Sequence, residues 1–430
     1  MPLSRRRFVQ AAAMAATAAS VTRTSAQRGR SGDAADLAPL PDPIRALKPL
    51  PGHVAPIADP ERLARIEKAR KLMTDNGIGA IVLETGTSMT YFANVRWGLS
   101  ERPFLLVIPQ KGELAYVCPG FEEARAREIT KFTKDIRVWQ EDEDWGATVA
   151  GILKDRGVTT AKIGVEERVR FFIADGIGKA APASQVVLAT PITAGCRMFK
   201  SPTEIALMQR ANDITIAAFR AALPTVRDGM TPTELGRNIR AAFDALGGPG
   251  GSALIGFGQY SAFPHGSIAA QHLKAGDIVL IDGGCSIDGY QSDITRTTVF
   301  GKPTPRQIEV WNLEKKAQAA AFAAARVGAT CESVDAAARK VITDAGFGPD
   351  YKVPGLPHRT GHGIGMDGHE WTNFVRGNKT PLAPGMCFSD EPMIAIYGEF
   401  GIRLEDCLYI TENGPKFFSQ PSIAIDQPFA

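Results

Sequence analysis

Apolar and polar positions along the chain fall into two regimes. From residue 58 onward, short apolar runs alternate with stretches of helical period. Ala80–Leu83, Phe104–Ile108 and Leu114–Val117 read as strands, and 135–139 and 162–165 as shorter ones. Runs of this length between turn residues suit buried strands. Helices are predicted near 121–130 and 144–156, and another from Asp59 as cap, with Pro60 at its first position, to Asn76-Gly77. Alternation of the two periods predicts an α/β N-terminal domain over 58–195.

A second regime opens at Lys200-Ser201-Pro202, where Ser201 can cap and Pro202 can start a long helix to about Leu223. Thr231-Pro232-Thr233-Glu234 is a capping box for another helix. Strands and glycine-rich loops follow, and a second domain is expected over 200–425. It contains a faint repeat: 226–247 resembles 325–346, an offset of 99 residues. In each half a helix precedes a His-Gly pair (His265-Gly266, His362-Gly363), and a hairpin then carries two spaced carboxylates. Duplicated units with acids at matching places suggest a site between the halves.

Composition changes the picture only at the N-terminus. The 430 residues carry 49 Lys and Arg against 46 Asp and Glu, a formal +3. Residues 1–26 hold Arg5, Arg6, Arg7 and Arg23 and no acid, so the remainder has 45 basic and 46 acidic side chains. That balance gives no reason to expect nucleic acid or an anionic membrane as partner. Ser4-Arg5-Arg6-Arg7-Phe8-Val9, the mild apolar stretch Ala11–Val21 and Thr24-Ser25-Ala26 come in the order of a twin-arginine export signal with its cleavage site. Residues 1–26 are therefore expected to direct export to the periplasm, with no membrane anchor, and the proline-rich 27–57 to be a linker or arm. The six cysteines form no CxxC pair and are expected to be buried thiols.

The chemistry lies in the hairpins. Ile278–Ile287 and Tyr290–Val299 flank Asp288-Gly289, a two-residue hairpin turn. If 287 pairs with 290, then 282 pairs with 295, and Asp282 and Asp293 project from one face of neighbouring strands. In the second hairpin, a five-residue loop near 397–401 would pair 396 with 402 and put Glu391 and Glu405 on one face. Four carboxylates converging in a core would repel one another, and divalent cations remove that objection. Oxygen ligands with one imidazole, His362, suit Mn, Co, Zn or Fe(II) better than a thiolate-loving metal.

Asp282, Asp293, His362, Glu391 and Glu405 resemble, in order and spacing, the five metal ligands of the creatinase/methionine-aminopeptidase superfamily. Gly361-His362-Gly-Ile-Gly-Met-Asp-Gly-His369-Glu370 resembles the GHGIGLDxHE phrase of its proline-specific branch, aminopeptidase P and prolidase. His265, His358, His369 and Arg403 fall where that branch keeps its accessory histidines and arginine. The match runs strongly from about 200 to 412. It implies an α+β pita-bread catalytic domain after the α/β one, two divalent ions with manganese foremost, and hydrolysis of short peptides with proline at the second position. It further implies a homo-oligomer, dimer or tetramer. In that scheme His265 and His369 stabilise the oxyanion, His358 supports the leaving group, Glu391 is both ligand and proton acceptor, and Arg403 holds a ligand carboxylate. Two other readings stay open: a metal-dependent hydrolase or lyase of a non-peptide small molecule, and a non-catalytic binding protein on this fold. Dipeptidase and aminopeptidase also both stay open, with Tyr91–Arg102 a candidate closing loop. His53 and His272 match nothing and are expected at the surface.

Overall fold

The computed structural model describes residues 39–429. The expected export signal and the start of the proline-rich arm lie outside them. The first layered unit is built from α1 (Asp59–Asn76), β1 (Ile78–Glu84), α2 (Thr87–Ala93), β2 (Leu105–Pro109), β3 (Ala115–Pro119) and α3 (Glu123–Ile129). It continues with β4 (Ile136–Trp139), α4 (Trp145–Asp155), β5 (Lys162–Val165), α5 (Phe171–Ala180), β6 (Val186–Leu188) and α6 (Thr190–Arg197). The strands form one mixed sheet in the order β4-β3-β2-β1-β5-β6.

Both faces of that sheet are covered, which is why β1, β2 and β3 read as unbroken apolar runs. Ile81, Leu106 and Tyr116 pack with Ile66 and Met73 of α1 and Ile192 of α6. Val82, Leu105 and Val117 pack with Val149 and Ile152 of α4 and Ile173 of α5. One detail of α1 differs from expectation. Ala58 is its cap and Asp59 already lies in the first turn, where the carboxylate favours the helix dipole without capping it. Gly77 closes the helix in the left-handed conformation, φ 64°.

The second unit opens with α7 (Pro202–Ala222) and α8 (Pro232–Leu246), both entered through complete capping boxes at Ser201/Glu204 and Thr231/Glu234. Then come β7 (Ser252–Phe257), β8 (Ile278–Gly284), β9 (Ser286–Ile287), β10 (Tyr290–Gln291) and β11 (Ile294–Val299). The pattern recurs with α9 (Pro305–Ala324), α10 (Cys331–Asp344), β12 (Gly361–Gly363), β13 (Glu370–Phe374), β14 (Cys387–Asp390) and the pair β15 (Met393–Ile396) and β16 (Phe400–Arg403). It ends in β17 (Asp406–Thr411) and β18 (Gly414–Phe417). Helices α8 and α10 begin 99 residues apart, at Pro232 and Cys331, the offset seen in the sequence. The sheets are β11-β8-β7 and β13-β12-β14-β17-β18; β8, which carries Asp282, is the central strand of the first, and Glu391 directly follows β14, the central strand of the second. Thr295 and Glu405 join the halves by a two-way backbone bridge, 3.3 and 3.2 Å. This is the α/β plus α+β architecture expected of a pita-bread enzyme.

The arm is ordered where it is described. Leu50 N–H donates to the Leu246 carbonyl, Arg210 donates to the carbonyls of Leu50 and Pro51, and Ile57 is buried beside Leu207, Met208 and Tyr290. Tyr91–Ala93 end α2 and are buried, and Trp97 stacks on Phe104 at 4.2 Å. The segment 91–102 forms no strand; it is buried at 91–93 and 95 and exposed at 98–101. All six cysteines are buried free thiols.

Strands β12 and β14 approach so closely that a Cβ on Gly361 would lie 2.1 Å from the Ser389 carbonyl oxygen. Gly361→Ala is expected to lower stability by about 1–3 kcal/mol, the usual cost of overpacking, and to displace the neighbouring His362. A denaturant midpoint equal to that of the unaltered protein would contradict this packing.

Candidate active site and metal centre

The site is built from the two hairpin systems. Asp288 and Gly289 both take positive φ, 49° and 88°, and close β9 and β10 with Ile287 opposite Tyr290. Asp282 then lies opposite Thr295, as expected, with Asp293 two residues earlier. In the second half the turn is three residues, 397–399, not five, and Ile396 pairs with Phe400, not with residue 402. The flanking pair Asp390–Asp406 keeps that register, so Glu391 falls opposite Glu405. Because the register differs by an even step, the shared face survives the correction.

All nine candidate residues line one cavity of about 700 Å3. Ligand-type atoms of Asp282, Asp293 and Glu405 lie within 4.8 Å of one another, as do those of His362, Glu391 and Glu405, and of Asp293, His362 and His369. Like charge and burial act together here. Burial, reinforced by Asp282, pushes the Asp293 carboxyl up to about 7. Glu405 is driven well above the carboxylate range by burial and then by Asp293 and Glu391, and its Oε1 is buried with no hydrogen-bond partner. The imidazole of His362 donates from Nδ1 to the Gly363 carbonyl at 3.1 Å, which aims Nε2 at Glu391 Oε1, 3.1 Å, and Asp293 Oδ2, 3.8 Å. Burial disfavours its charge, but the Glu391 hydrogen bond more than offsets that and raises its pKa. Glu391 is lowered for the reciprocal reason: burial opposes its charge, and His362 overcomes the burial. Without cations the centre thus holds itself together with protons. An orphaned carboxylate oxygen, an imidazole nitrogen aimed inward and four acids make a donor set that fits divalent metal ions.

The remaining groups orient these. The Arg403 guanidinium donates to Asp282, to Thr295 Oγ1 at 3.1 Å and to the Pro264 carbonyl at 3.0 Å. Thr295, which the sequence pattern did not single out, sits between Asp282, 3.0 Å, and Glu405, 2.7 Å. Its one hydroxyl proton serves only one of them at a time. Ser389 similarly accepts from the His362 backbone N–H, 2.9 Å, and donates to Glu391, 3.2 Å. His369 accepts at Nδ1 from Arg359, 2.9 Å, so its proton sits on Nε2. Burial and the neighbouring His362 lower its pKa to about 4, and the ring stacks on His362 at 3.8 Å. His358 places Nδ1 2.7 Å from the Arg359 carbonyl, and Nε2 is buried without a partner. With Nδ1–H donating, Nε2 is an acceptor. Burial lowers the His358 pKa and keeps that form neutral. His265 lines the exposed rim.

Residues set aside from the sequence also have clear places. His53 and His272 are exposed. Asp406 points away from the cavity into a buried pair with Arg296, 2.7 Å. Asp367 and Glu370 face the first unit: Arg197 pairs with both, Lys200 with Glu370 at 3.1 Å, and Arg168 with Asp367 at 3.0 Å. Arg359, Arg197 and Lys200 escaped sequence reasoning. Position was the available signal: Arg359 adjoins His358, and Arg197 and Lys200 end one unit where the other begins.

Comparison with known proteins places the chain in a family. Residues 206–412 match metallopeptidase family M24, and 65–199 match the creatinase/prolidase N-terminal domain. A probable dipeptidase PepE of Mycobacterium tuberculosis is 35% identical over 81% of this chain and 92% of its own. An Xaa-Pro dipeptidase of Lactobacillus delbrueckii subsp. lactis is 30% identical over 83% and 97%. The crystal structure of dipeptidase PepE from Mycobacterium ulcerans superimposes with a TM-score of 0.79 at 31% identity, covering 85% of this chain and 97% of that one.

The Glu370 network yields a pH signature. Burial alone would raise its pKa, but Lys200 and Arg197 outweigh burial and hold it at about 2. A carboxyl depressed in the folded state contributes stability above its unfolded value, about 4.3, and loses it as pH falls through the folded one. Glu370→Gln is expected to cost roughly 3–5 kcal/mol at neutral pH, as breaking a buried pair does. The gap to the unaltered protein should close between about pH 4 and 2. A gap constant across that window, in unfolding measured at each pH, would show that ion pairing is not its source.

Proposed function

The chain belongs to metallopeptidase family M24, and on that premise we propose that it is a dinuclear-metal exopeptidase that hydrolyses Xaa-Pro bonds in short peptides. The observation that carries this reading is the convergence of Asp282, Asp293, His362, Glu391 and Glu405 on one cavity, with Glu405 Oε1 buried and unpartnered. The four carboxylates and the single guanidinium bonded to one of them, Arg403, leave a surplus of negative charge that one divalent cation does not cancel and two do. Asp282, Asp293, His362, Glu391 and Glu405 would hold the ions, with Asp282 and Asp293 grouped on one side of Glu405 and His362 and Glu391 on the other. A set of carboxylates with one imidazole favours manganese, with cobalt, zinc or iron as alternatives set by supply. The Xaa-Pro preference rests on the relatives, one of which is itself named an Xaa-Pro dipeptidase.

Bound divalent cations neutralise the carboxylates, polarise the scissile carbonyl and acidify water enough for it to attack near neutral pH. The protein groups do the rest. Glu391 accepts the proton of the attacking water and passes it toward the leaving nitrogen. That nitrogen, being proline's, has no hydrogen of its own and must gain one to leave. His369, with its proton on Nε2, donates to the developing oxyanion, and its low pKa keeps the ring neutral throughout. His265 grips the same carbonyl from the rim. His358, with a bare Nε2, can accept a hydrogen bond from the leaving nitrogen once Glu391 has protonated it. Arg403 fixes the orientation of Asp282 and compensates part of the charge.

Asp282→Ala and Glu391→Ala are expected to fold, to contain less metal than the unaltered enzyme and to lose hydrolysis of Gly-Pro. His369→Ala should keep its metal and lose about 10²–10³ in kcat, the usual value of one oxyanion donor. Metal analysis alongside kinetics decides the matter. Undiminished turnover in the first two variants at matched metal would overturn the ligand assignment, and metal loss in the third would make His369 a ligand.

A further inference from the structure

His358 is carried by the connection 345–360, which runs from α10 to β12 without a helix or strand of its own. Long connections are ordinarily the mobile parts of a fold, yet this one presents an imidazole to the catalytic cavity. What holds it comes from one face of α10. Asp335 and Arg339 lie four residues apart, about one helical turn, and pair at 2.8 Å. Asp335 is buried, and its other oxygen accepts from the backbone N–H of Thr360, 3.1 Å, and from the Thr360 hydroxyl, 2.7 Å. The Arg339 guanidinium donates to the carbonyls of Asp350, 2.8 Å, Leu356, 3.1 Å, and His358. It also lies over the Tyr351 ring, 4.3 Å from the centroid. The pair therefore grips residues 358 and 360, on either side of Arg359. Thr360 passes the restraint on, because its carbonyl accepts from the Glu391 N–H at 2.9 Å.

Two further observations set this pair apart from ordinary packing. Neither residue lines the catalytic cavity; both line a separate hollow of about 630 Å3 that shares no residue with it. Any effect of the pair on the reaction has to pass through the loop. The duplicated half also lacks the pair. At the 99-residue offset, α8 has Gly236 in place of Asp335 and an exposed Arg240 in place of Arg339. Helix α8 forms without such a pair, so the motif does not need it for its own folding. Arginine suits the task, since its planar fork reaches several acceptors with little freedom lost per bond. Asp335 balances a charge that burial alone would make costly. We propose that Asp335 and Arg339 are positioning residues for the hydrolysis: from behind the cavity wall they hold the 350–360 loop so that the bare Nε2 of His358 faces the leaving nitrogen. The inference rests on the Xaa-Pro exopeptidase reading and adds to it two residues that never meet the substrate.

The test is a double-mutant cycle. Arg339→Gln is made in the unaltered enzyme and in His358→Ala, each loaded with manganese, and kcat and KM for Gly-Pro are measured alongside metal content. In the unaltered background kcat should fall about 10- to 100-fold, the cost of a slight misplacement imposed from a distance, with KM and metal content unchanged. In His358→Ala the same substitution should alter kcat by less than about twofold, because its target is gone. Arg339→Lys keeps the charge beside Asp335 but not the fork, so it should recover stability more fully than kcat, and it serves the same cycle if the Gln variant does not fold. Hydrogen exchange of the loaded proteins needs no turnover: Arg339→Gln should exchange faster over 349–360, while β8 and β11 keep their protection. An unchanged kcat in Arg339→Gln overturns the proposal, as does a fall in kcat that tracks lost metal. An equal fall in both backgrounds also overturns it, because the loss would then be one of general structure, and so does unchanged exchange over 349–360. If the loaded unaltered enzyme does not hydrolyse Gly-Pro, the Xaa-Pro reading falls instead, and hydrogen exchange still decides whether the pair holds the loop.

Discussion

Four carboxylates forced into one buried space are the constraint to which the rest of the molecule answers. Their repulsion has to be opposed by groups that cannot drift, and the fold supplies them from both halves. Arg403 reaches Asp282 across the boundary between the halves, and Thr295 touches an acid from each. The glycines around the centre serve the same end. Gly283 and Gly361 bring backbones to distances that any side chain would forbid, a Cβ on Gly283 falling 2.2 Å from the Ser252 carbonyl oxygen. Close backbones make a rigid frame, and a rigid frame is what keeps like charges in place until cations arrive.

The first unit is tied to this frame by charge at two buried points. Arg65 of α1 meets Glu204 at 3.4 Å and the Tyr290 hydroxyl at 3.1 Å, beside the turn that sets the Asp282–Asp293 register. Arg197 and Lys200 meet Asp367 and Glu370, in the loop that runs from His362 to His369. Both ties end on segments that position site residues. Buried pairs of this kind are costly to desolvate and poor at adding net stability, but they define one docking geometry. The N-terminal sheet accordingly acts as a fixed wall of the active site, and Arg359 and His369 stand where the two units meet.

Much of this was legible in the chain. Asp288-Gly289 dictates a primed turn, and the turn dictates which acids share a face, so the first hairpin could be placed residue by residue. The second could not, because Tyr397-Gly398-Glu399 has no dipeptide that demands one turn type, and a loop of three residues reads like one of five. Only the parity of the loop mattered to the face, and parity was recoverable from the chemistry. Asp59 looked like a cap because caps and first-turn acids draw on the same residue types. Thr295, Ser389 and Arg359 were illegible for another reason. Their roles depend on partners more than ten residues away in most cases, and a threonine in a strand or an arginine in a loop carries no periodic mark.

The bridge between Thr295 and Glu405 spans 110 residues of chain. Contacts of that separation form late, after the entropy of closing a long loop has been overcome. During synthesis, a chain that has emerged only as far as α10 already contains Asp282, Asp293, both strands of the first hairpin and the whole N-terminal sheet, yet no enclosed centre. The catalytic assembly therefore needs both halves of the chain: a product ending at α10 holds Asp282 and Asp293 but lacks His362, Glu391 and Glu405.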